Sequence, residues 1–152
     1  MSATARTCLA LCLPALLALA APAPAQTVSL NQGGQPRTIA VGDAASLPPG
    51  FPEDVFVPHG AQLVRVDQAG AGRLLLEFEL ADTPASLDGA YSTAMTASGW
   101  AQAAVVPLAG TRVQAWEKSA RAVVVALTAE PGGTRLRLQL LPRKASAEPA
   151  PR

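Results

Sequence analysis

The sequence has very few of the side chains that usually carry metal or covalent chemistry. Its 152 residues include one histidine and two cysteines, and both cysteines, Cys8 and Cys12, lie in an apolar segment near the N-terminus. A metal site needs three or four suitable ligands. Nucleophilic catalysis needs an activated Ser, Thr or Cys beside a base. The sequence therefore indicates no catalytic constellation, metal site or cofactor.

Runs of like charge are also lacking. The formal net charge is +1, from 12 basic and 11 acidic residues spread along the chain. Nucleic acid binding normally requires a concentrated basic face, and attachment to anionic lipid requires a cluster of basic residues. We therefore expect neither a nucleic acid partner nor electrostatic membrane attachment.

The first 25 residues have the pattern of a secretory signal. Arg6 supplies a positive charge, Cys8–Ala20 is an apolar run, and Ala23 and Ala25 fill the small-residue positions before a cleavage site. We predict cleavage between Ala25 and Gln26, and a periplasmic or secreted protein. The apolar run is too short to cross a bilayer about 30 Å thick, so we expect no stable membrane insertion after cleavage. An uncleaved membrane anchor is the alternative.

Cleavage at this position would remove both cysteines and Arg6, which leaves 11 basic and 11 acidic residues. The mature chain would then enter an oxidising compartment without forming disulfides. A hydrophobic core must hold it together, and a chain of this length can bury enough apolar surface to do so.

Three segments follow the signal. Residues 26–46 are rich in small and turn-forming residues, and we interpret them as a flexible or extended N-terminal segment, either a tether or an added edge strand. Two short extended pieces are predicted within it, near Thr27–Leu30 and Arg37–Val41. Residues 47–141 are predicted to form the compact domain. Residues 142–152, rich in Pro, Ala and charge, are predicted to be disordered.

Six strands are predicted in the compact domain. Apolar and polar residues alternate over Arg73–Leu80 and over Thr134–Leu141, which is typical of strands with one buried and one solvated face. The remaining strands are predicted over Ala61–Asp67, Trp100–Val106, Thr111–Lys118 and Arg121–Ala129.

One helix is predicted between the second and third of these strands. Thr83 is placed as its N-cap and Pro84 as its first residue, and Gly99 is placed to end it. Its apolar face comprises Leu87, Ala90, Tyr91, Ala94 and Met95. The predicted fold class is therefore α+β, a two-layer sandwich in which one helix packs on one face of an antiparallel sheet, with element order β-β-α-β-β-β-β.

The open face of this predicted sheet carries the candidate interaction surface. Glu77 and Glu79 share one face of a strand, and Arg135 and Arg137 are placed to neutralise them across the sheet. Trp116 has the opposite strand parity to its apolar neighbours, so it either faces solvent or a partner, or packs in the core or against the tether. The candidate residues are His59, Glu77, Glu79, Trp116, Arg135 and Arg137.

His59, the only histidine, lies in a turn between Pro58 and Gly60. Two acidic residues, Glu53 and Asp54, precede it by a few positions, but the intervening "VFVP" is extended. These acids therefore need not converge on the imidazole, and we interpret His59 as a surface residue at the entry to a strand.

A series of short motifs resembles the pattern of small secreted bacterial α+β domains of unknown function. Those domains share an "FP-x-DV…P-x-GA" opening, a capped helix ending in "GW", and a "GGT" before the last strand. The matching residues are Phe51-Pro52, Asp54-Val55, Pro58, Gly60-Ala61, Thr83, Gly99-Trp100 and Gly132-Gly133-Thr134. The resemblance covers roughly Leu47 to Leu141, and Phe56 replaces a proline common at its position. It implies a cell-envelope domain without assigned catalytic residues.

These observations favour a secreted, non-enzymatic domain that binds a protein or a cell-envelope component through an open sheet face or a strand edge. One alternative is a small envelope hydrolase that uses Glu77, Glu79 or His59. The other is a structural subunit of a larger envelope assembly.

Overall fold

The computed structural model describes residues 25–32, 34–70 and 72–142. The predicted signal, apart from Ala25, and the predicted disordered tail, apart from Pro142, lie outside the described residues.

The described chain forms one antiparallel sheet of eight strands and one α-helix. The elements are β1 (Gln26–Gln32), β2 (Gln35–Val41), a short 3-10 helix (Gly42–Ala44), β3 (Gln62–Ala69), β4 (Arg73–Leu80), α1 (Pro84–Ala97), β5 (Ala101–Leu108), β6 (Thr111–Lys118), β7 (Arg121–Glu130) and β8 (Gly133–Pro142). The strands lie in the order β1-β2-β3-β4-β8-β7-β6-β5. The chain therefore runs from one edge to the centre, crosses through α1 to the opposite edge, and returns to the centre, where β8 pairs with β4.

This sheet corrects the predicted fold class. The two-layer α+β sandwich with six strands is wrong, because the described chain is mostly antiparallel β-sheet with one helix and is closer to a β-sandwich. The two added strands come from residues 26–46. They form the hairpin β1–β2, and β2 pairs with β3 from Arg37 opposite Ala69 to Val41 opposite Arg65. The two extended pieces predicted near Thr27–Leu30 and Arg37–Val41 lie within β1 and β2, so the added edge strand is the observed alternative for residues 26–46. Backbone pairing to an existing strand edge requires little apolar patterning, so the pattern did not specify which strand they join.

The helix α1 begins and ends as its sequence predicts. Thr83 Oγ1 accepts a hydrogen bond from the backbone N–H of Ser86 at 3.4 Å, and Pro84 occupies the first helical turn, where its missing N–H has no cost. Gly99 follows the helix with φ of +79°, a conformation that glycine adopts without strain. The helix side chains buried against the sheet are Leu87, Tyr91 and Met95. Of the two alanines predicted for the same face, Ala94 is partly buried, and the prediction is wrong for Ala90, which is exposed.

The hydrophobic core lies on the sheet face that α1 covers, which we call the inner face. The central strands supply it with alternate side chains, as predicted for β4 and β8. These are Leu74, Leu76, Phe78 and Leu80 on β4, Leu136 and Leu138 on β8, and Val123, Val125 and Leu127 on β7. The helix packs over β5, β6 and β7. The opposite side of the sheet, which we call the outer face, receives the other half of each strand.

Residues 45–61, which we call the entry segment, cover a further part of the inner face. Val55 is buried in the core, and Phe51 and Phe56 pack against it. The Phe56 ring meets the Tyr91 ring edge to face, with 5.1 Å between the ring centroids, a favoured arrangement for aromatic pairs. The entry segment and α1 therefore form one continuous layer over the core.

Asp54 attaches the entry segment to the rest of the molecule. Its carboxylate accepts hydrogen bonds from Lys118 Nζ at 2.7 Å and from the Arg121 guanidinium at 2.9 and 2.7 Å. Its backbone carbonyl accepts one from the Trp100 indole at 2.7 Å. Lys118 also donates to the Ser98 carbonyl at the end of α1, and Arg121 stacks on the Trp100 ring. We call this group the Asp54 clamp.

The clamp changes the acidity of Asp54. The hydrogen bonds from Arg121 lower its pKa from 3.8 to about 2, although burial acts in the opposite direction. Because the folded-state pKa lies below the unfolded value, the clamp contributes its full stabilisation above the unfolded pKa. That contribution disappears as the pH falls from about 4 toward 2.

A polar network joins α1 to β6, and it extends from the buried side chains of Trp116 and Gln114 to the partly exposed pair of Arg112 and Asp88. The Trp116 indole donates to Gln114 Oε1 at 2.9 Å, and Gln114 Nε2 and Arg112 Nε both donate to the Asp88 carboxylate on α1. Buried polar groups are costly when unpaired. Because these bonds form in one orientation of the helix only, the network fixes how α1 lies on β6.

Replacement of Asp54 by Asn tests the clamp. We expect D54N to lower the free energy of unfolding near neutral pH by about 2 kcal/mol, the equivalent of the pKa shift, reduced somewhat by solvent. Urea unfolding as a function of pH should show the wild type and D54N converging as the pH approaches 2. The matched control is E53Q, which removes the same charge from the exposed neighbouring residue. An equal loss of stability in both variants would contradict the clamp.

Candidate functional site

The outer face of the sheet brings together four of the six residues predicted for the interaction surface. Glu77 lies opposite Arg137 and Glu79 lies opposite Arg135 on the neighbouring strands β4 and β8. The Arg137 guanidinium is 2.8 Å from Glu77 Oε1, and the Arg135 guanidinium is 3.2 Å from Glu79 Oε1. The predicted neutralisation across the sheet is therefore confirmed.

Glu130 adds a second acid to the Arg135 side of this cluster. It accepts hydrogen bonds from Arg135 Nε at 2.5 Å and from Arg135 Nη2 at 2.9 Å. These bonds lower the pKa of Glu130 and raise that of Arg135. Both predicted carboxylates, Glu77 and Glu79, are thus directed at guanidinium groups rather than toward each other across a substrate-sized gap. The hydrolase alternative gains no support from this geometry.

His59 does not join this cluster. It is exposed in the turn before β3, as predicted, and within the described residues it forms no hydrogen bond or ion pair. Asp54, one of the two acids that precede His59 in the sequence, pairs with Lys118 and Arg121 instead.

Trp116 does not lie on the interaction surface, and this part of the prediction is wrong. Only 1% of the residue is exposed. Its strand parity does differ from that of Ala115, but the side of β6 on which it lies is the inner face, beneath α1. An indole placed there can both pack in the core and donate to Gln114. The alternative of core packing, left open by the sequence, is the observed one.

A second charged cluster lies beside the first, and sequence reasoning did not identify it. Asp67 is only 4% exposed, and it accepts hydrogen bonds from Arg37 Nε at 2.8 Å and Nη2 at 2.5 Å. Arg65 adds a longer contact at 3.4 Å. The hydrogen bonds from Arg37 are the main cause that lowers the pKa of Asp67. The sequence did place Arg65 and Asp67 on one face, but Arg37 becomes their neighbour only through the pairing of β2 with β3.

Apolar side chains occupy the outer face at both edges of the sheet. On the first edge they form the β1-side patch, which consists of Val28, Leu30, Ile39 and Val41. On the other they form the β5-side patch, which consists of Ala104, Val106, Leu108, Val113, Ala115, Val124 and Ala126. Val106 and Leu108 are 45% and 58% exposed, and Val28 and Leu30 are nearly half exposed. The charged clusters thus lie between two apolar margins.

The outer face also contains a cavity of about 280 Å³ near the β3–β4 turn. Its charged lining residues are Arg37, Asp67 and Arg73. Gln35, Leu75 and Gln139 also line it.

Comparisons with protein-family models, with curated proteins and with solved structures give no match. Across the described ranges, no group of three or more His, Cys, Asp or Glu side chains is arranged to hold a metal ion. In the same residues no helix is long and apolar enough to span a membrane. The function is therefore argued from the geometry of the outer face.

Asp67 and Glu79 differ in burial, and paired substitutions test the difference. We expect D67N to lower the free energy of unfolding by about 2 kcal/mol, because it removes the negative charge that Arg37 contacts between β2 and β3. E79Q should change stability by no more than about 0.5 kcal/mol, because Glu79 is 50% exposed and its ion pair is solvated. Urea unfolding measures both values.

Amide hydrogen exchange adds a local readout to this comparison. In D67N the amides of β1 and β2 should exchange faster while those of β7 stay protected, because the lost contact joins β2 to the sheet. Equal stability of D67N and E79Q, with unchanged exchange in β2, would contradict a structural role for the Arg37–Asp67 pair.

Proposed function

We propose that this chain is an exported, periplasmic or secreted domain that binds a protein or another component of the cell envelope through the outer face of its sheet, without catalysing a reaction. The observation that carries this proposal is the exposure of apolar side chains on both edge strands, Val28 and Leu30 on β1 and Val106 and Leu108 on β5. Contiguous exposed apolar patches bordered by polar residues are typical of interaction sites.

The edge strand β5 supports this proposal most directly. All eight of its residues are exposed, and none of them is charged. Natural edge strands usually avoid unwanted pairing through charged side chains, prolines or bulges. β5 has Pro107 and a bulge between Gln102 and Ala104, but its outer-face residues Val106 and Leu108 leave an apolar margin. A partner can therefore contact the β5-side patch, the backbone edge, or both.

The central charges fit the same role. Among the described residues of β3, β4 and β8, the outer-face acids Asp67, Glu77 and Glu79 each contact an arginine. Because these charges are already compensated, a partner that covers them need not supply a matching set of opposite charges, and the paired groups still offer polar contacts. An apolar area bordered by polar groups is the ordinary composition of a protein interface.

Export is supported by the N-terminal sequence pattern and by the resemblance to secreted envelope domains. The predicted cleavage site yields a mature protein that begins at Gln26, the first residue of β1. N-terminal sequencing of the protein recovered from the periplasm or the medium of an expressing bacterium tests this. Recovery in the cytoplasm with Met1 retained would contradict export.

A charge introduced on the β5-side patch tests the proposed surface. We expect V106E to weaken partner capture at least tenfold, because an unpaired charge in an apolar interface costs about 2 kcal/mol or more. The matched control is A90E, which adds the same charge on the exposed side of α1. The measurement is crosslinking in the envelope of living cells, followed by comparison of the crosslinked species.

Thermal unfolding of both variants checks that they remain folded. The proposal requires crosslinked species that are present in the wild type and in A90E and are reduced in V106E. If the three proteins give the same species at the same yield, binding through the β5-side patch is wrong.

A further inference from the structure

The cavity near the β3–β4 turn is built from polar side chains on an apolar base. Leu75 lies on the outer face between Asp67 on β3 and Gln139 on β8, in one cross-strand row. Arg73 begins β4 next to this row, opposite Ala69. The volume of about 280 Å³ lies just below the range of about 300–1,000 Å³ typical of small-molecule sites, so it suits one small polar ligand.

Arg73 differs from the other charged residues around the cavity. Within the described chain it forms no ion pair or hydrogen bond, whereas Arg37 and Arg65 both contact Asp67. The charged residues that line the cavity are two arginines, Arg37 and Arg73, and one acid, Asp67. The local charge is positive, although the mature chain as a whole is balanced.

The strand register explains why no acid lies directly opposite Arg73. Further along β4, Glu77 lies opposite Arg137, and Glu79 lies opposite Arg135. The same register pairs Leu74 with Leu140, so the next residue of β8 toward Arg73 is Leu141. On its other side Arg73 faces Ala69. The acid of the cavity, Asp67, lies two residues along β3 from Ala69 and is paired with Arg37 and Arg65. The Arg73 guanidinium, with no acid directly opposite it, therefore remains available to an external anion.

Two side-chain amides complete the walls. Gln35 and Gln139 line the cavity, and each carboxamide can both donate and accept hydrogen bonds. Gln35 lies so close to the β3–β4 turn that a Cβ atom at Gly70 would be 2.0 Å from Gln35 Oε1. The glycine at position 70 therefore leaves the space that the Gln35 side chain occupies beside the cavity.

We propose that this cavity binds an acidic sugar, with its anionic group on Arg73 and its hydroxyl groups on Gln35 and Gln139. Arginine recognises phosphate and carboxylate through paired N–H donors, and side-chain amides suit hydroxyl groups, which both donate and accept. Leu75 supplies an apolar surface for the C–H groups of a sugar ring. The inference rests on the proposed function, because it names the chemical class of one envelope component that the outer face would bind.

The anion can be a sugar phosphate or a sugar carboxylate, and the experiment separates these sources. The probes are glucose 6-phosphate, glucuronate and uncharged glucose, each titrated into the ¹⁵N-labelled protein while amide chemical shifts are recorded. We expect one or both acidic sugars to bind with millimolar or tighter affinity and to shift the amides of residues 67–75 and of Gln139. Glucose should bind at least tenfold more weakly.

The key variant is R73Q, and its matched control is R137Q. Both remove one positive charge from the outer face, but Arg137 pairs with Glu77 away from the cavity. We expect R73Q to weaken binding of the acidic sugar at least tenfold and R137Q to change it less than twofold. A third variant, Q35A, leaves the charge unchanged and should weaken binding severalfold through loss of the amide.

Two results would overturn the inference. One is the absence of chemical-shift changes in residues 67–75 with either acidic sugar. The other is an equal loss of binding in R73Q and R137Q, which would indicate diffuse electrostatic attraction instead of a site. Neither result affects the proposed partner surface, because R73Q leaves the β5-side patch intact. Crosslinking of R73Q in the envelope therefore distinguishes failure of the sugar site from failure of the proposed function.

Discussion

The rest of this structure depends on one constraint: a single helix must help to cover the apolar inner face of a sheet that is much wider than the helix. Eight strands spaced about 4.8 Å apart span about 34 Å, whereas one helix with its side chains is about 10 Å wide. The helix α1 reaches β5, β6 and β7. The remaining inner face must be covered by a segment without regular backbone hydrogen bonding, and the entry segment has that role.

The sequence of β1 shows where the cover over the inner face of the sheet ends. On the central strands the inner-face residues are apolar, but on β1 the residues of that face are Thr27, Ser29 and Asn31, while Val28 and Leu30 point to the outer face. Polar side chains are stable there because neither α1 nor the core extends over β1. The hairpin β1–β2 therefore depends on its contacts to β3, above all on the Arg37–Asp67 pair, and its apolar side chains remain on the outer face.

The entry segment needs polar attachment because its own backbone contributes little. Pro48, Pro49, Pro52 and Pro58 lack backbone N–H groups, and the apolar contacts of Phe51 and Phe56 alone would allow several placements. The Asp54 clamp selects one, since a carboxylate that accepts hydrogen bonds from both Lys118 and Arg121 has a defined position and direction. The clamp joins the entry segment, the end of α1 and the β6–β7 hairpin, which lie far apart in the sequence.

Local sequence patterns predicted the helix ends and the alternation of the central strands. They did not predict the features that depend on long-range strand pairing. The cap at Thr83, the stop at Gly99, and the alternation in β4 and β8 depend on neighbours in the sequence, and the structure confirms them. The arginine–glutamate pairs could be predicted because β4 and β8 each place their charged residues on one face. Those charges meet whenever the two strands are neighbours. Strand order, the hairpin β1–β2 and the Arg37–Asp67 pair depend on which edge meets which strand, and a single sequence carries no direct signal for that choice.

The position of Trp116 also could not be predicted from local sequence pattern. Its parity relative to Val113 and Ala115 was evident, but parity does not state which side of a strand is covered. With Val113 and Ala115 on the outer face, apolar residues lie on both sides of β6, so the pattern alone could not identify the core. The side of β6 that carries Gln114 and Trp116 is the one that contacts α1, through the hydrogen bond from Gln114 to Asp88. This contact depends on the crossover of α1 to the β5 edge of the sheet.

The outer face follows from these facts. A sheet covered on one side only must keep its other side soluble, and here the central strands do so with paired charges while the edges remain apolar. Register errors in such a face would place like charges together or bury them, so the Glu77–Arg137 and Glu79–Arg135 pairs also help to fix β4 against β8. Arg73, one step beyond the last of the pairs between β4 and β8, has no acid within reach of that register. The register that pairs the charges of β4 with those of β8 at the centre of the outer face therefore gives Arg73 no acid opposite it. Arg73 lies at the corner of that face, beside the cavity and the amides of Gln35 and Gln139.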